Sequence, residues 1–120
     1  MLFEDDHFRA GREYTSFFIT NLYARIYNPN QLIVKKGETF AEMCLIMEGS
    51  VILSIKKKAV NEYFTLPKHT YFGDYQILLG YKASECYTSD GKETTLLMCM
   101  KKKVLKDLLK KFPDVEYYYK

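Results

Sequence analysis

The pattern of hydrophobic and polar residues divides the chain into a helical start, a long middle of short strands and a helical end. Aromatic residues recur near helical spacing from residue 6 to residue 22, with charged residues on the other faces. This spacing predicts an N-terminal helix within residues 1–22. After the turn Asn28-Pro29-Asn30 the period becomes that of strands, and turn residues recur at intervals of about ten residues. The middle, residues 23–100, therefore predicts a mainly β domain.

The predicted strands are short and rich in β-branched and aromatic residues. They cover residues 24–27, 32–34, 43–47, 51–55, 63–66, 85–88 and 94–100. The turn at 89–92 predicts a hairpin between the last two. Because so many strands would leave exposed edges in an open sheet, we expect an antiparallel β-roll of about eight strands, a jelly roll or double-stranded β-helix. One short helix, residues 75–79, interrupts the series and is closed by Gly80.

The C-terminal segment, residues 101–120, returns to a helical period. Leucines fall on one face and lysines on the others until Pro113 ends the helix. Residues 114–120 predict the start of a second helix that the chain does not complete. Since cations are unfavourable at a helix N-terminus, part of the run 101–103 is expected to belong to the preceding strand.

Composition, charge and the spacing of cysteines and histidines restrict the classes of function that the chain can have. A length of 120 residues with 48% hydrophobic and 28% charged residues predicts one domain over 1–120, and a net charge of +3 gives no indication of nucleic acid. No apolar run approaches the length of a membrane span, and no signal peptide is expected. Three widely spaced cysteines predict buried thiols without a metal, and His7 and His69 have no partners at ligand spacing. We expect no enzyme activity, because no nucleophile and base are arranged together.

The order of elements resembles that of the cyclic nucleotide-binding domain, over nearly the whole chain. The resemblance rests on the strand and turn at 31–38, the hairpin at 43–51, the sequence Tyr71-Phe72-Gly73-Asp74 and the last helix through Phe112-Pro113. The sequence of residues 72–78 is similar to that of the domain at the cytoplasmic end of voltage-gated and cyclic-nucleotide-gated cation channels, ciliate ones in particular.

The resemblance implies that residues 72–86 form the cassette that binds the cyclic phosphate. In the family, Phe72 and Gly73 would precede an acid that accepts the ribose 2′-hydroxyl, and that acid would be Asp74. Backbone N–H groups around Tyr75 and Gln76 would face the phosphate. The usual acid is Glu, which is longer by one methylene. A second interpretation is that Asp74 caps a helix beginning at Tyr75.

The arginine that the family uses to hold the phosphate is missing. Residues 80–87 contain none, and Lys82 is the nearest cation. Ser84 or Glu85 falls near the expected arginine position, and a carboxylate there would repel a phosphate. Because arginine makes two parallel charge-assisted hydrogen bonds and lysine is a point charge, the loss predicts an affinity lower by about one to two decades.

The resemblance therefore implies a regulatory domain on the cytoplasmic side of a membrane, in a cation channel that is expected to conduct potassium. It would modulate gating through its end helices, with weak or no cyclic nucleotide binding and no other cofactor. Its partners would be the pore-bearing part of the same channel and neighbouring subunits. The alternative is a functional cAMP or cGMP sensor of a channel or a kinase regulatory subunit. A cupin-like enzyme would need clustered histidines, and a transcription factor would need a helix-turn-helix after the last helix.

Overall fold

The computed structural model describes residues 20–57 and 60–111, which form eight strands and two helices. The strands are β1 Tyr23–Tyr27, β2 Leu32–Val34, β3 Glu42–Glu48, β4 Val51–Lys57, β5 Val60–Leu66, β6 Tyr71–Phe72, β7 Cys86–Ser89 and β8 Thr95–Lys101. The helices are α1 Asp74–Leu79, between β6 and β7, and α2 Lys102–Lys111, directly after β8. The predicted mainly β architecture with a short inserted helix is confirmed.

The strands form two antiparallel sheets of four. One has the order β1-β8-β3-β6 and the other the order β2-β7-β4-β5. Alternate residues of β8 are buried and half-buried, as expected when one face of a strand lies against a core. Ile46 of β3, Leu97 of β8 and Val51 of β4 are fully buried, so the core lies between the two sheets.

Two predicted hairpins are wrong. The strands β7 and β8 lie in different sheets, and so do β3 and β4, so the turns at 89–92 and 48–50 lead from one sheet to the other. Turn residues predict that the chain reverses, but they do not predict which strand the next strand pairs with. Gly49 lies at one such corner with a φ of 79°, and a Cβ on it would lie 2.7 Å from the Thr95 side-chain oxygen. Among the strands of the described residues, only β4 and β5 are sequence neighbours that pair with each other, at seven consecutive positions.

The helix α2 packs against the first sheet through Leu105, Leu108 and Leu109, which are all buried. Lys101 ends β8 and Lys102 begins α2, so the lysine run is divided between strand and helix as expected. The predicted N-terminal helix, except for its last residues, and the predicted second C-terminal helix lie outside the described residues. None of the described helices is long and apolar enough to cross a membrane.

The cysteines are partly as expected. Cys44 on β3 and Cys99 on β8 are directly opposite each other and buried, with their sulfur atoms 3.5 Å apart. Cys86 is only half-buried, which corrects the prediction of three buried thiols. It lies at the first position of β7, where the strand has only begun to enter the core.

Candidate functional site

The candidate site is the segment from β6 through α1 to β7. Gly73 joins β6 to α1 in the left-handed conformation, with a φ of 89°. A Cβ at this residue would lie 2.9 Å from the backbone oxygen of Glu42 and 3.0 Å from the Phe40 ring. Glycine is therefore required here for two reasons, its backbone angle and the close approach of β3. The predicted role in admitting an anion stays a prediction.

Asp74 is the first residue of α1, and Gly73 is its N-cap, with no side-chain hydrogen bond to the helix start. The interpretation of Asp74 as a cap for a helix beginning at Tyr75 is therefore wrong. As an acid in the first turn, Asp74 interacts favourably with the positive end of the helix dipole. Its carboxylate accepts no hydrogen bond from any side chain within the described part of the chain. Its expected role toward a ribose stays a prediction.

Three aromatic rings fill the space beside α1. Phe72 stacks on Tyr87 of β7 with ring centroids 5.1 Å apart, and Phe40 meets both rings edge-on at 6.5 and 5.3 Å. All three are buried. Edge-to-face and offset-stacked rings at these distances attract each other beyond the effect of burial alone. The two sheets are thus closed at the cassette end by packed aromatic side chains.

The Tyr87 hydroxyl is the polar point of this cluster. It accepts a hydrogen bond from the Gln76 side-chain amide at 3.4 Å. Burial, together with the negative charges of Glu85 and Asp74, raises the pKa of Tyr87 to about 12. The phenol is therefore neutral at physiological pH. The Gln76 side chain is thus hydrogen-bonded to Tyr87, while the side chain of Tyr75, the preceding residue, is exposed.

The exit of the cassette is held by the turn between β2 and β3. The Gly37 N–H donates to the Ala83 carbonyl at 2.8 Å, and the Ala83 N–H donates to the Glu38 carbonyl at 2.9 Å. Lys82 forms an isolated bridge with Thr39, and its side chain is exposed. Lys82, which the sequence offers as the cation nearest to the expected arginine position, is therefore held at the protein surface by this backbone bridge.

Of the candidate arginine positions, Ser84 is exposed and Glu85 is half-buried, and the Ser84 hydroxyl donates to the Glu85 carboxylate at 2.6 Å. Ala83 is 3% exposed. The chain bends at residues 84 and 85, and the negative charge of Glu85 acts on the Tyr87 hydroxyl, since it contributes to the raised pKa of that group. The buried position of this segment is therefore occupied by a methyl group, and a half-buried carboxylate follows two residues later.

Arg25 is the one arginine of the described residues, and it lies elsewhere. Its Nε is 2.5 Å from a Glu42 carboxylate oxygen, and its guanidinium lies 5.5 Å from the centre of the Tyr23 ring. The Tyr23 hydroxyl donates to the other oxygen of Glu42. Tyr23 and Arg25 of β1 thus form a polar cluster with Glu42, the first residue of β3, which we call the β1 cluster, and the Arg25 guanidinium is paired with Glu42 and not with a cassette residue.

Next to this cluster, donor atoms of Glu42, Cys44 and Cys99 lie within 4.8 Å of one another, a grouping with the residue types of a metal site. Two features oppose binding. The hydrogen bond with Cys99, with burial, raises the pKa of Cys44 well above its usual range, whereas a metal needs the thiolate. Glu42 already holds Tyr23 and Arg25.

Sequence reasoning missed the three residues that shape the interior of the site: Phe40, Ala83 and Tyr87. Phe40 precedes a strand and Tyr87 lies within one, so the sequence shows each as an aromatic residue without showing which side of the sheet its ring packs on. Period-two counting back from the β7 strand could have placed Ala83 and Tyr87 on one side. Nothing local to the sequence indicates that Phe40 meets Phe72, since 32 positions separate them.

Comparisons with known proteins agree with this geometry. The chain is 28% identical over 102 residues to the cyclic nucleotide-gated channel rod photoreceptor subunit alpha of Gallus gallus, covering 82% of this chain and 16% of that one. It is 26% identical over 102 residues to cyclic nucleotide-gated channel alpha-4 of Mus musculus, covering 82% and 18%. No protein-family model matches the sequence.

The crystal structure of Thermus thermophilus catabolite activator protein superposes with a TM-score of 0.75 at 19% identity, over 88% of this chain and 49% of that chain. The chain has the cyclic nucleotide-binding domain fold. Its similarity to the channel proteins is confined to less than a fifth of their length. The predicted resemblance is therefore confirmed for a cyclic nucleotide-binding-like domain.

Proposed function

We propose that the chain is a regulatory domain on the cytoplasmic side of a cation channel, potassium-conducting by the sequence resemblance, that modulates gating with weak or no cyclic nucleotide binding. The relatives support the channel, since both are cyclic nucleotide-gated channel proteins. No enzyme activity and no cofactor are part of the proposal. The pore-bearing part of the channel and neighbouring subunits are the proposed partners.

The observation that carries the proposal is the set of side chains at the cassette exit. A cyclic phosphate needs a cation, and the buried Ala83 and the half-buried Glu85 offer a methyl group and a negative charge in its place. Lys82 is exposed and Arg25 is paired with Glu42. A phosphate entering this segment would meet repulsion from Glu85, and no guanidinium among residues 20–57 and 60–111 is placed to offset it.

In mechanism, the roll is the rigid part and α2 is the movable output. The buried leucines of α2 rest on β3 and β8, so a shift of α2 requires the exchange of one packed arrangement for another. Binding of a partner subunit that favours one arrangement would bias the equilibrium by about 1–3 kcal/mol, the usual size of such coupling. A bias of this size changes the open fraction of a channel by a measurable factor.

The second candidate is a functional cAMP or cGMP sensor, of a channel or a kinase regulatory subunit. Asp74 favours it, because its carboxylate lies at the start of α1 with no side-chain partner among the described residues. A ribose hydroxyl could donate to that carboxylate.

Calorimetric titration with cAMP and cGMP up to millimolar concentration separates the two candidates. We expect no saturable binding below about 10 μM, the range in which a cassette with its arginine would bind. Saturation below that concentration would establish the sensor and refute the proposal.

Three arginine variants sharpen the titration. Ala83→Arg puts a guanidinium at the buried position and Glu85→Arg at the half-buried one, whereas Ser84→Arg puts the same charge at an exposed position and serves as the matched control. We expect a gain of about tenfold or more for Ala83→Arg or Glu85→Arg and no gain for the control. Equal gains in all three would mean general charge attraction and not a restored cassette.

A further inference from the structure

The exposed side of α2 is almost entirely cationic. Six residues of this helix are exposed, and five of them are lysines, the sixth being Asp107. We call these five the lysine face of α2; they are Lys102, Lys103, Lys106, Lys110 and Lys111. At about 100° of rotation per residue they share one half of the helix surface. The other half holds Val104, Leu105, Leu108 and Leu109, which pack toward the first sheet.

Helix stability does not account for this face. Lys110 and Lys111 lie in the last turn, where cations are favourable, but Lys102 and Lys103 lie in the first turn, which contains no acid. Cations there oppose the helix dipole. No carboxylate within the described residues pairs with Lys102, Lys103 or Lys106 at ion-pair distance. Lys102 and Lys103 are therefore placed at some cost to the helix, and none of the three lysines gains an ion pair from the described residues.

We propose that the lysine face of α2 binds the surface of a membrane that contains anionic phospholipids. The face is convex, is backed by the buried leucines beneath it and spans about 12 Å from Lys102 to Lys110. A layer of lipid headgroups can meet all of its charges together. Lysines on one side of an amphipathic helix are the pattern that attracts anionic headgroups through charge alone.

The composition of the face argues against a nucleic acid. It contains no arginine for bidentate phosphate contacts and no aromatic ring on which a base could stack. The lipid contact does not involve the cassette and holds whichever ligand the cassette accepts or rejects. It rests on the proposed function in one respect only, that a channel domain lies near a membrane.

The probe is a set of vesicles of phosphatidylcholine with about 30% phosphatidylserine, compared with vesicles of phosphatidylcholine alone. Binding of the full 120-residue chain is measured by cosedimentation. We expect binding to the anionic vesicles alone, and a loss of most of it when ionic strength rises from about 0.1 M to about 0.5 M.

The test variant is the triple change Lys102→Gln, Lys103→Gln and Lys106→Gln. The matched control is Lys35→Gln, Lys36→Gln and Lys92→Gln, which removes the same charge from exposed positions on loops. We expect about a hundredfold weaker partition for the helix variant and much less than tenfold for the control. Thermal unfolding provides the second readout, and the helix variant should be at least as stable as the wild type, because it removes first-turn cations.

Four results would overturn the inference, three from vesicle binding and one from thermal unfolding. One is wild-type binding that ignores phosphatidylserine, and another is an equal loss in both triple variants. The third is displacement from anionic vesicles by polyglutamate at an equal concentration of charge, which would assign the face to an acidic protein segment. A helix variant with reduced unfolding temperature would show that the lysines serve folding, which also contradicts the proposal.

Discussion

Two polar clusters lie on either side of the start of β3, and they differ in how their charges are satisfied. In the β1 cluster, Glu42 receives both the Tyr23 hydroxyl and the Arg25 guanidinium. In the cassette, Asp74 has no side-chain partner among the described residues, and the Tyr87 hydroxyl accepts its hydrogen bond from Gln76. The one guanidinium of the described residues is thus paired with Glu42, and the cassette is closed by aromatic packing.

If packing holds the cassette, removal of the Phe72 ring should have the largest effect. Phe72→Ala removes one stacked and one edge-on contact from a buried site, so we expect a loss of about 3–5 kcal/mol in the free energy of unfolding. Denaturant titration measures it. The control is Tyr71→Ala at the preceding position, where the side chain is 46% exposed, and its loss should be much smaller. Equal losses would mean that the strand, and not the ring cluster, holds the cassette.

The junction between the two clusters is tested at Gly73. Gly73→Ala must adopt a positive φ and also place a Cβ 2.9 Å from the Glu42 carbonyl, so we expect a loss of about 2 kcal/mol or more. Gly37→Ala has a similar φ of 91° with nothing within 4 Å of the added Cβ. It should lose only about 1 kcal/mol, the cost of the angle alone. The difference between the two unfolding free energies isolates the close approach of β3, and no difference would refute it.

The comparison also has a pH dependence. The pKa of Tyr87 is raised to about 12 in the folded chain, above the usual value near 10. The stabilisation from its retained proton is therefore complete below pH 10 and is lost as the pH rises from about 10 to about 12, up to roughly 2 kcal/mol. Tyr87→Phe has no proton to lose. Unfolding measured at pH 9 and pH 11.5 should therefore show a smaller decline in the variant, and parallel declines would exclude Tyr87 as the titrating group.

The smallest effect concerns the β1 cluster itself. Because the Arg25 side chain is 49% exposed, its pair with Glu42 is screened by water, and we expect a coupling of about 0.5–1 kcal/mol. A double-mutant cycle with Arg25→Gln and Glu42→Gln measures it. Neither change should create nucleotide binding. If Glu42→Gln released Arg25 and produced saturable cAMP binding, the conclusion that Arg25 serves only the pair with Glu42 and not the cassette would be wrong.

The sequence predicts much of the fold because local chemistry dictates it. Strand period and turn residues located seven of the eight strands closely and missed the two-residue β6, and the leucine and lysine positions of α2 were visible from helical spacing. Which strands pair depends on contacts distant in sequence, so the corners at Gly49 and at 89–92 were mistaken for hairpins. For the site, the missing arginine is visible in the sequence. The packing of Phe40 on Phe72 and Tyr87 depends on three separate segments meeting, which no local pattern encodes.

Ala83 forms backbone hydrogen bonds with Gly37 and with Glu38, and these have a mechanical consequence. They anchor the chain just after α1, while the pairing of β6 with β3 anchors it just before. The six-residue helix lies between these anchors, with a left-handed glycine at each end. A displacement of α1 is therefore confined to the segment between Gly73 and Gly80, and it has to draw the buried Ile77 out of the core.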